Sequence, residues 1–599
     1  MQLCRKQTEH QFNPHTLFPQ MPTVHIEPEE SVCTCESHPI LKVMKTKTRE
    51  VRTMHIGPFY VHETIKICPL KNCKKTYRHT GLDVFLLQGS NFGYDIIEHV
   101  GDLMWNESRT ALQIQTDLKR KNNIFISESE ITLLAKKYVY YIVEAQRDKQ
   151  SEIKQLLQRG GGYFLYFDAM HPGDGSAHLM CAIAEEVSEK INIILGSVKL
   201  PKESTETVSA FLRDLKEKYG APLAGICDML ASNLNAFREV FPDVLLLICH
   251  FHFLRGLGKM FMEYENTKLQ NTLKQYDMNK RLKEFAKTCK ARIELNPELA
   301  SYLKYDEKKY NSSFHVLPEV VKAYCMTMWI LAYEHELNGY GFPFDRSNLV
   351  YLQRMKKTYE GVRELLVGYE ELFELQMLLA SILEDSSLQK EMAAMEKKAA
   401  DFDDLRSIMK IAPIYGMKGL NDDGEECDMT AMEALVKNFI ESERIKNNKD
   451  GDYKKMINQI QKYWKMLFAK PVKAILATGE IVFVYPGRTS NCMERLFREV
   501  QRMEYKRTGM STLGRTVRAM IAETPMMKNL RCPEYAKIIL NGQPTLSARF
   551  AQLDMDRMQK SLKDVEQQEK LPAGLKKLMR NSDFHKIFIR SPKLAKKVA

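Results

Sequence analysis

Three carboxylates, far apart in sequence, carry most of the chemistry available to this 599-residue chain. Asp168 ends the apolar run Tyr163-Phe164-Leu165-Tyr166-Phe167, and Asp228 ends a second run at Leu223 to Cys227. Glu494 lies in the polar string Thr489-Ser490-Asn491-Cys492-Met493-Glu494-Arg495. A carboxylate at the mouth of a buried strand is costly to desolvate, so it persists where water, a metal or a partner compensates. Hard oxygen donors suit Mg2+ or Mn2+, which keep several waters for a nucleophile and a phosphate. Two such ions, bridged by Asp168 and flanked by Asp228 and Glu494, would activate an attacking hydroxyl and stabilise the leaving oxygen of a phosphodiester.

The elements that must position these groups follow from the apolar pattern. Gly160-Gly161-Gly162 breaks a helical stretch and delivers the chain into the first strand. Apolar stretches at His178 to Ala184 and Ile191 to Val198 predict two more strands, and Ser204 to about Tyr219 predicts a helix. Leu223 to Cys227 reads as a fourth strand, about Ser232 to Val240 as a helix, and Val244 to Cys249 as a fifth strand. Three strands in hairpin succession, then alternating helix and strand, give an α/β fold with a ribonuclease-H-like mixed five-stranded sheet flanked by helices. Residues 160–264 form its first part, and 481–525 bring the final helix with Glu494. Between them, 265–480 reads as an all-helical insertion, with charged runs such as Glu391 to Lys398 and loops at Asn338 to Pro343 and Asn421 to Glu426.

Residues 1–30 are rich in Gln, His and Pro and read as an irregular tail. In 31–85, Cys33, Cys35, Cys68 and Cys73 flank strand-like sequence and predict a small zinc-ribbon-like module, four thiolates replacing a core too short to build. The single residue between Cys33 and Cys35 is tighter than usual, so His38, His62 or His79 could substitute; the alternative is ordinary reduced cysteines. In 86–150, a helix opened by Ser108 runs through Ile114 and Leu118 to Lys119-Arg120-Lys121, followed by a turn at Asn122-Asn123. A second helix is capped by Ser127 with Glu130 and has Ile131, Leu134, Tyr138 and Ile142 on one face. The pair is compatible with a DNA-binding helix-turn-helix or with a helical linker that packs. Residues 526–599, with Lys576-Lys577 and Lys593 to Lys597, form a basic C-terminal region, a nucleic-acid contact or a solvated tail.

Composition narrows the partners. With 44% hydrophobic residues the chain can fill several cores, and the excess of 88 Lys and Arg over 76 Asp and Glu, a net charge of +12, favours a polyanion. The 13 cysteines are scattered outside the N-terminal group and no signal-peptide core precedes them, which predicts reduced thiols and a cytoplasmic protein, nucleoid-associated if prokaryotic. The apolar stretch Phe241 to Leu254 is interrupted by Asp243, Cys249, His250 and His252, so no membrane span is expected.

These residues together resemble the DDE transposases of bacterial and archaeal insertion sequences, related to the Mutator-like transposases. The resemblance rests on Tyr166-Phe167-Asp168, on Gly225-Ile226-Cys227-Asp228 with Asn233 after it, and on Thr489 to Arg507 with Gly509. Cys249 and His252 match the Cys/His pair that accompanies the second aspartate in Mutator-like enzymes, and are taken as site-adjacent or as buried structural groups. The likeness spans about residues 30 to 525 and departs from the family at His171-Pro172-Gly173-Asp174-Gly175, where Asp174 is a conceivable extra ligand. It implies Asp168, Asp228 and Glu494 as catalytic metal ligands, two Mg2+ or Mn2+ ions, and DNA cleavage followed by strand transfer through a 3′-hydroxyl. It also implies double-stranded DNA partners, namely terminal inverted repeats bound through the N-terminal region and target DNA, with a homodimer joining two ends. Asn491, Arg498 and Arg502 are expected beside the site, the two arginines sharing Glu494's helix face or, alternatively, pairing with Glu499 or Glu504. The competing readings are a catalytically silent DNA-binding protein and a metal-dependent nuclease of the same fold.

Overall fold

Alternation of apolar residues builds a small N-terminal sheet, at the start of the residues that the computed structural model describes: 22–304, 317–365, 370–412 and 429–569. Strand β1 (Thr23–Ile26) runs parallel to β3 (Pro58–Ile67), while β2 (Lys42–Arg52) and β4 (Thr76–Tyr77) pair with β3 antiparallel. Phe59 and Val61 point inward one residue apart and meet Ile26, Val51 and Leu86 in a compact core. β1 corrects the expectation of an irregular tail through residue 30: Thr23 to Ile26 are ordered by pairing with Tyr60 to Glu63, a contact no local pattern announces.

The helices that follow are α1 (Tyr94–Gly101), α2 (Ala111–Asn122), α3 (Glu128–Asp148) and α4 (Gln150–Arg159), with a π-turn at Asp102–Asn106 after α1. Thr110, not Ser108, caps α2: its hydroxyl accepts from the Gln113 amide and the Gln113 side chain returns the bond. Ser108 has φ +59°, outside the extended range a capping residue needs. Ser127 caps α3, accepting from the Glu130 amide at 3.2 Å, without the return bond expected from the Glu130 side chain. The expected apolar face of α3 is buried, together with Ala135, Val139, Tyr141, Glu144, Ala145 and Gln146. Thr132, Lys136, Tyr140 and Val143 stay partly exposed along the opposite side of the helix.

The second sheet contains β5 (Tyr163–Met170), β6 (His178–Glu186), β7 (Asn192–Leu200), β8 (Ala224–Cys227) and β9 (Leu245–Ile248), in the order β7-β6-β5-β8-β9. β6 and β7 are antiparallel, whereas β5 runs parallel to β8 and β8 to β9. Helix α5 (Thr205–Tyr219) connects β7 to β8 and is capped reciprocally by Ser204 and Thr207; α6 (Ala231–Val240) connects β8 to β9. This is a mixed α/β arrangement, and the strand order expected along the chain is met. Asp168 lies inside β5, two residues before its end at Met170, rather than at the terminus.

The described residues divide into two compact units: 22–163 with Asp168–Ala221 and 492–569, and Phe164–Phe167 with the described part of Pro222–Asn491. In the second, α7 (His250–Gln275) starts directly after β9, so the boundary expected at 265 falls inside a continuous helix. It is followed by α8 (Met278–Leu295), α9 (Glu319–Leu331), α10 (Ser347–Glu364), α11 (Glu370–Leu383), α12 (Ser386–Ile408), α13 (Met429–Glu441) and α14 (Gly451–Leu467). The expectation of an all-helical block to residue 480 is corrected by an antiparallel hairpin of β10 (Val472–Ile475) and β11 (Ile481–Val484). The loop expected at Asn421 to Glu426 lies outside the described residues.

A buried cation ties three elements of this unit. Lys398 on α12 places its ammonium 2.6 Å from Glu265 on α7, 2.7 Å from Asp452 on α14 and 3.1 Å from Asp450. Burial acts to lower the lysine's pKa, but hydrogen bonds to Asp452, Glu265 and Asp450 outweigh it and raise the value. For Asp452, burial likewise opposes the charge and is outweighed by bonds from Lys398 and Lys455, so its pKa is lowered.

In the first unit, α15 (Asn491–Thr508) and α16 (Leu513–Ala519) lead to α17 (Pro533–Leu540), α18 (Leu546–Phe550) and α19 (Met555–Glu569). Residues 526–569 are corrected from a possible solvated tail to packed structure: Tyr535, Ile539 and Phe550 are buried, and Phe550 stacks on Tyr141 with ring centroids 4.7 Å apart. Lys576-Lys577 and Lys593 to Lys597 lie outside the described residues. No described helix is long and apolar enough to cross a membrane.

Two substitutions test this packing by urea denaturation. Gly225 of β8 lies against Phe237, which stacks on Phe167 at 5.8 Å, and a Cβ there would overlap the ring. Gly225→Ala is expected to cost about 1–3 kcal/mol, while Gly256→Ala, facing only the flexible end of Met229, changes stability little. Lys398→Met leaves Glu265 and Asp452 facing each other without their cation and is expected to cost about 3–5 kcal/mol. Because Asp452 titrates below its unfolded value, its contribution is full above about pH 4 and fades as pH falls through the lowered folded value. Lys398→Met removes that lowering, so the variant should lose less of its remaining stability in acid.

Candidate functional site

The polar groups expected to act together come from a strand, a strand end and a helix start. The parallel register of β5 and β8 sets Phe164, Leu165 and Tyr166 opposite Ala224, Gly225 and Ile226, and Asp168 and Asp228 each stand two residues beyond the last of these pairs. Asp168 is half-buried, and one of its oxygens accepts the following Ala169 amide at 2.8 Å. Its charge adds to burial in raising the pKa of the Cys181 thiol on β6. Asp228 accepts at a single oxygen from the Leu230 amide (3.1 Å) and from Nδ2 of the fully buried Asn233 (3.0 Å). This fixes the carboxylate at the entry to α6.

Glu494 occupies the first turn of α15, where the helix dipole favours a negative charge. Met493, Leu496, Val500 and Met503 form the buried stripe of that helix, which leaves Glu494 half-buried and turns Arg495, Arg498 and Arg502 outward. The C-terminal turn is held by Glu504, fully buried and bound by Arg507 at 2.8 Å, whose guanidinium lies over the Trp105 ring at 5.0 Å. Arg498 does not pair with Glu499 or Glu504: it donates to Glu494 itself at 2.9 Å. Arg502 is exposed, and Asn491 opens the helix half-buried. Asp174 accepts the Ser176 amide at 3.0 Å and lies 3.5 Å from Arg518, and the Ser176 bonds lower its pKa. One of its oxygens is thus bonded within the β5–β6 turn and the other faces Arg518 on α16.

Cys249 and His252 occur together at the start of α7. Cys249 is the capping residue, its sulfur accepting the Ser490 amide at 3.4 Å. Burial alone would raise its pKa, but His252 and the Ser490 bond outweigh it and lower the value. The pair is a buried thiol beside a half-buried imidazole.

The N-terminal cysteines converge. The sulfurs of Cys33, Cys35, Cys68 and Cys73 all lie within 4.8 Å of one another, with Cys33 to Cys73 at 3.6 Å and Cys35 to Cys68 at 4.0 Å. Thiolates about 2.3 Å from a central ion at tetrahedral angles have edges of about 3.8 Å, so the geometry suits a metal and not a disulfide. Burial pushes the Cys33 thiol up, but the Tyr77 hydroxyl, the Cys35 amide and neighbouring thiols bring it down to about 6. Cys68 is raised to about 12, by burial and then by those neighbours. Four crowded sulfurs resist ionising together, and a cation relieves that repulsion. The histidine substitutes are not needed: His38 sits on the Cys33 carbonyl at 3.0 Å, His62 stacks on His25, and His79 lies 3.7 Å from Glu29.

Among the described residues, two further groups bring three metal-ligating side chains within 4.8 Å: Glu265 with Asp450 and Asp452, and His171 with His178 and Glu203. Lys398 already supplies the cation of the first. Sequence reading missed the second, because nothing in the spacing of His171 and His178 points to Glu203. Asp168, Asp228 and Glu494 do not form such a group.

No family model matches the chain, and no curated protein does. Among solved structures the chain is similar to the Drosophila P element transposase strand transfer complex, at 10% identity and a TM-score of 0.30, over 77% of this chain and 94% of that one. A likeness so distant carries no reading of the residues.

Proposed function

We propose that the chain is a transposase-like DNA-processing enzyme of ribonuclease-H-like design, with Asp168, Asp228 and Glu494 as its metal ligands. The observation that supports the reading is the parallel pairing of β5 with β8 in a mixed sheet, with Asp168 within β5 and Asp228 directly after β8. Three carboxylates are a hard donor set that fits Mg2+ or Mn2+. When bound, such ions supply activation of a water or 3′-hydroxyl and stabilisation of the leaving oxygen. The chain's own groups prepare the ligands: Asn233 and the Leu230 amide orient Asp228, while Arg498 orients Glu494.

Double-stranded DNA is the polyanion this reading requires. Arg495, Arg498, Arg502 and Lys506 recur at helical spacing on the exposed side of α15, with exposed Tyr505 among them, a face suited to phosphates. In the N-terminal module, Cys33, Cys35, Cys68 and Cys73 hold a structural Zn2+, and the exposed Lys42, Lys45 and Lys47 on β2 add positive charge. Transposition joins two DNA ends, so the active form is a homodimer.

Asp168→Asn, Asp228→Asn and Glu494→Gln should each reduce Mg2+-dependent nicking of duplex DNA at least about 100-fold, the loss of a few kcal/mol of charge stabilisation. DNA binding by the same variants should persist and weaken steeply with salt. Full nicking by the variants would overturn the site, and salt-insensitive binding would overturn the partner. On cobalt substitution, Cys68→Ser should lower the intensity of the thiolate-to-metal charge-transfer band, as one of four thiolates is removed; a band of unchanged intensity would remove the four-thiolate assignment.

A further inference from the structure

We propose that His171, His178 and Glu203 form a second metal site, open to solvent on one side, for a divalent transition ion of which Zn2+ is the best match. The three side chains come from the end of β5, the start of β6 and the connection from β7 to α5. Glu203 is the unusual member. Its side chain is 2% exposed, and neither carboxylate oxygen accepts a hydrogen bond. A buried carboxylate without donors is costly.

What faces it is a pair of imidazoles. His171 Nε2 is 2.9 Å and His178 Nδ1 3.6 Å from the same oxygen, and the two ring centroids are 4.4 Å apart. His178 Nδ1 is itself buried and makes no hydrogen bond. One divalent ion shared by both nitrogens and the oxygen satisfies all three. Ligands about 2.05 Å from a tetrahedral ion stand about 3.3 Å apart, between the two separations observed.

Two imidazoles and one carboxylate are a donor set that Zn2+ takes with a fourth position left for water. His171 is 46% exposed, which provides the entry path and the open position. The site would clasp the turn containing Gly173, Asp174 and Gly175, where Gly173 and Gly175 have φ of +75° and +77°. Its chemistry differs from that of the four thiolates, and the two sites can be counted separately.

The test is metal analysis of the full-length chain equilibrated with Zn2+, comparing wild type, His171→Ala and Glu203→Gln, each checked for native circular dichroism. His171 is exposed enough that its truncation leaves the fold intact. The expected result is one equivalent of zinc fewer in His171→Ala, or the same equivalent bound at least about tenfold more weakly. On cobalt substitution the variant should lose d–d absorption while retaining any thiolate charge-transfer band. Equal zinc content and equal affinity in wild type and His171→Ala would overturn the proposal. This outcome is independent of DNA cleavage, so it stands or falls apart from the proposed function.

Discussion

Tyr163, Phe164, Leu165, Tyr166 and Phe167 are all buried, because β5 has a strand on each side and aromatic side chains against its faces. Phe167 stacks on Phe237, Phe237 lies against Gly225 of the neighbouring strand, and Tyr166 reaches its hydroxyl to Gly487. Burial this complete leaves no place for a charge before residue 168. Asp168 follows this run within β5, with buried Ala169 and Met170 after it, and Asp228 follows the buried Ala224–Cys227 of β8.

What could be read from the sequence and what could not divide along the range of the interaction. The strands of the second sheet, the Ser127 and Ser204 caps and the four cysteines are legible because each depends on a local pattern or on a residue type with few uses. Strand β1 is not legible, since only its pairing with β3 orders Thr23 to Ile26. Nor is the partner of α3's apolar side, since Tyr138 and Tyr141 meet Phe550 from far along the chain. The hairpin at 472–484 was hidden by a preceding run of helix formers. His171, His178 and Glu203 escaped for the same reason as β1: each is unremarkable until the fold brings three segments together.

Buried charges in this chain are handled in different ways, and the differences separate structure from chemistry. Glu504 is met by Arg507, Asp452 and Glu265 by Lys398, and Arg549 by Asp148, so each charge carries its counter-charge within the chain. Such pairs need nothing from outside. Breaking one strands its partner, which makes them structural.

The remaining groups are built differently. Four thiols crowd one point with one pKa forced down and another forced up, and the buried Glu203 faces two imidazoles while accepting no hydrogen bond. Asp228 is oriented by neutral donors only, Asn233 and the Leu230 amide, which hold the carboxylate in place without cancelling its charge. Neutral donors are the arrangement that leaves an anion able to bind a cation, whereas a lysine in the same place would have filled the position, as Lys398 does. Glu494 is intermediate, because Arg498 is a cation but sits 62% exposed on the open face of α15, where solvent weakens its hold.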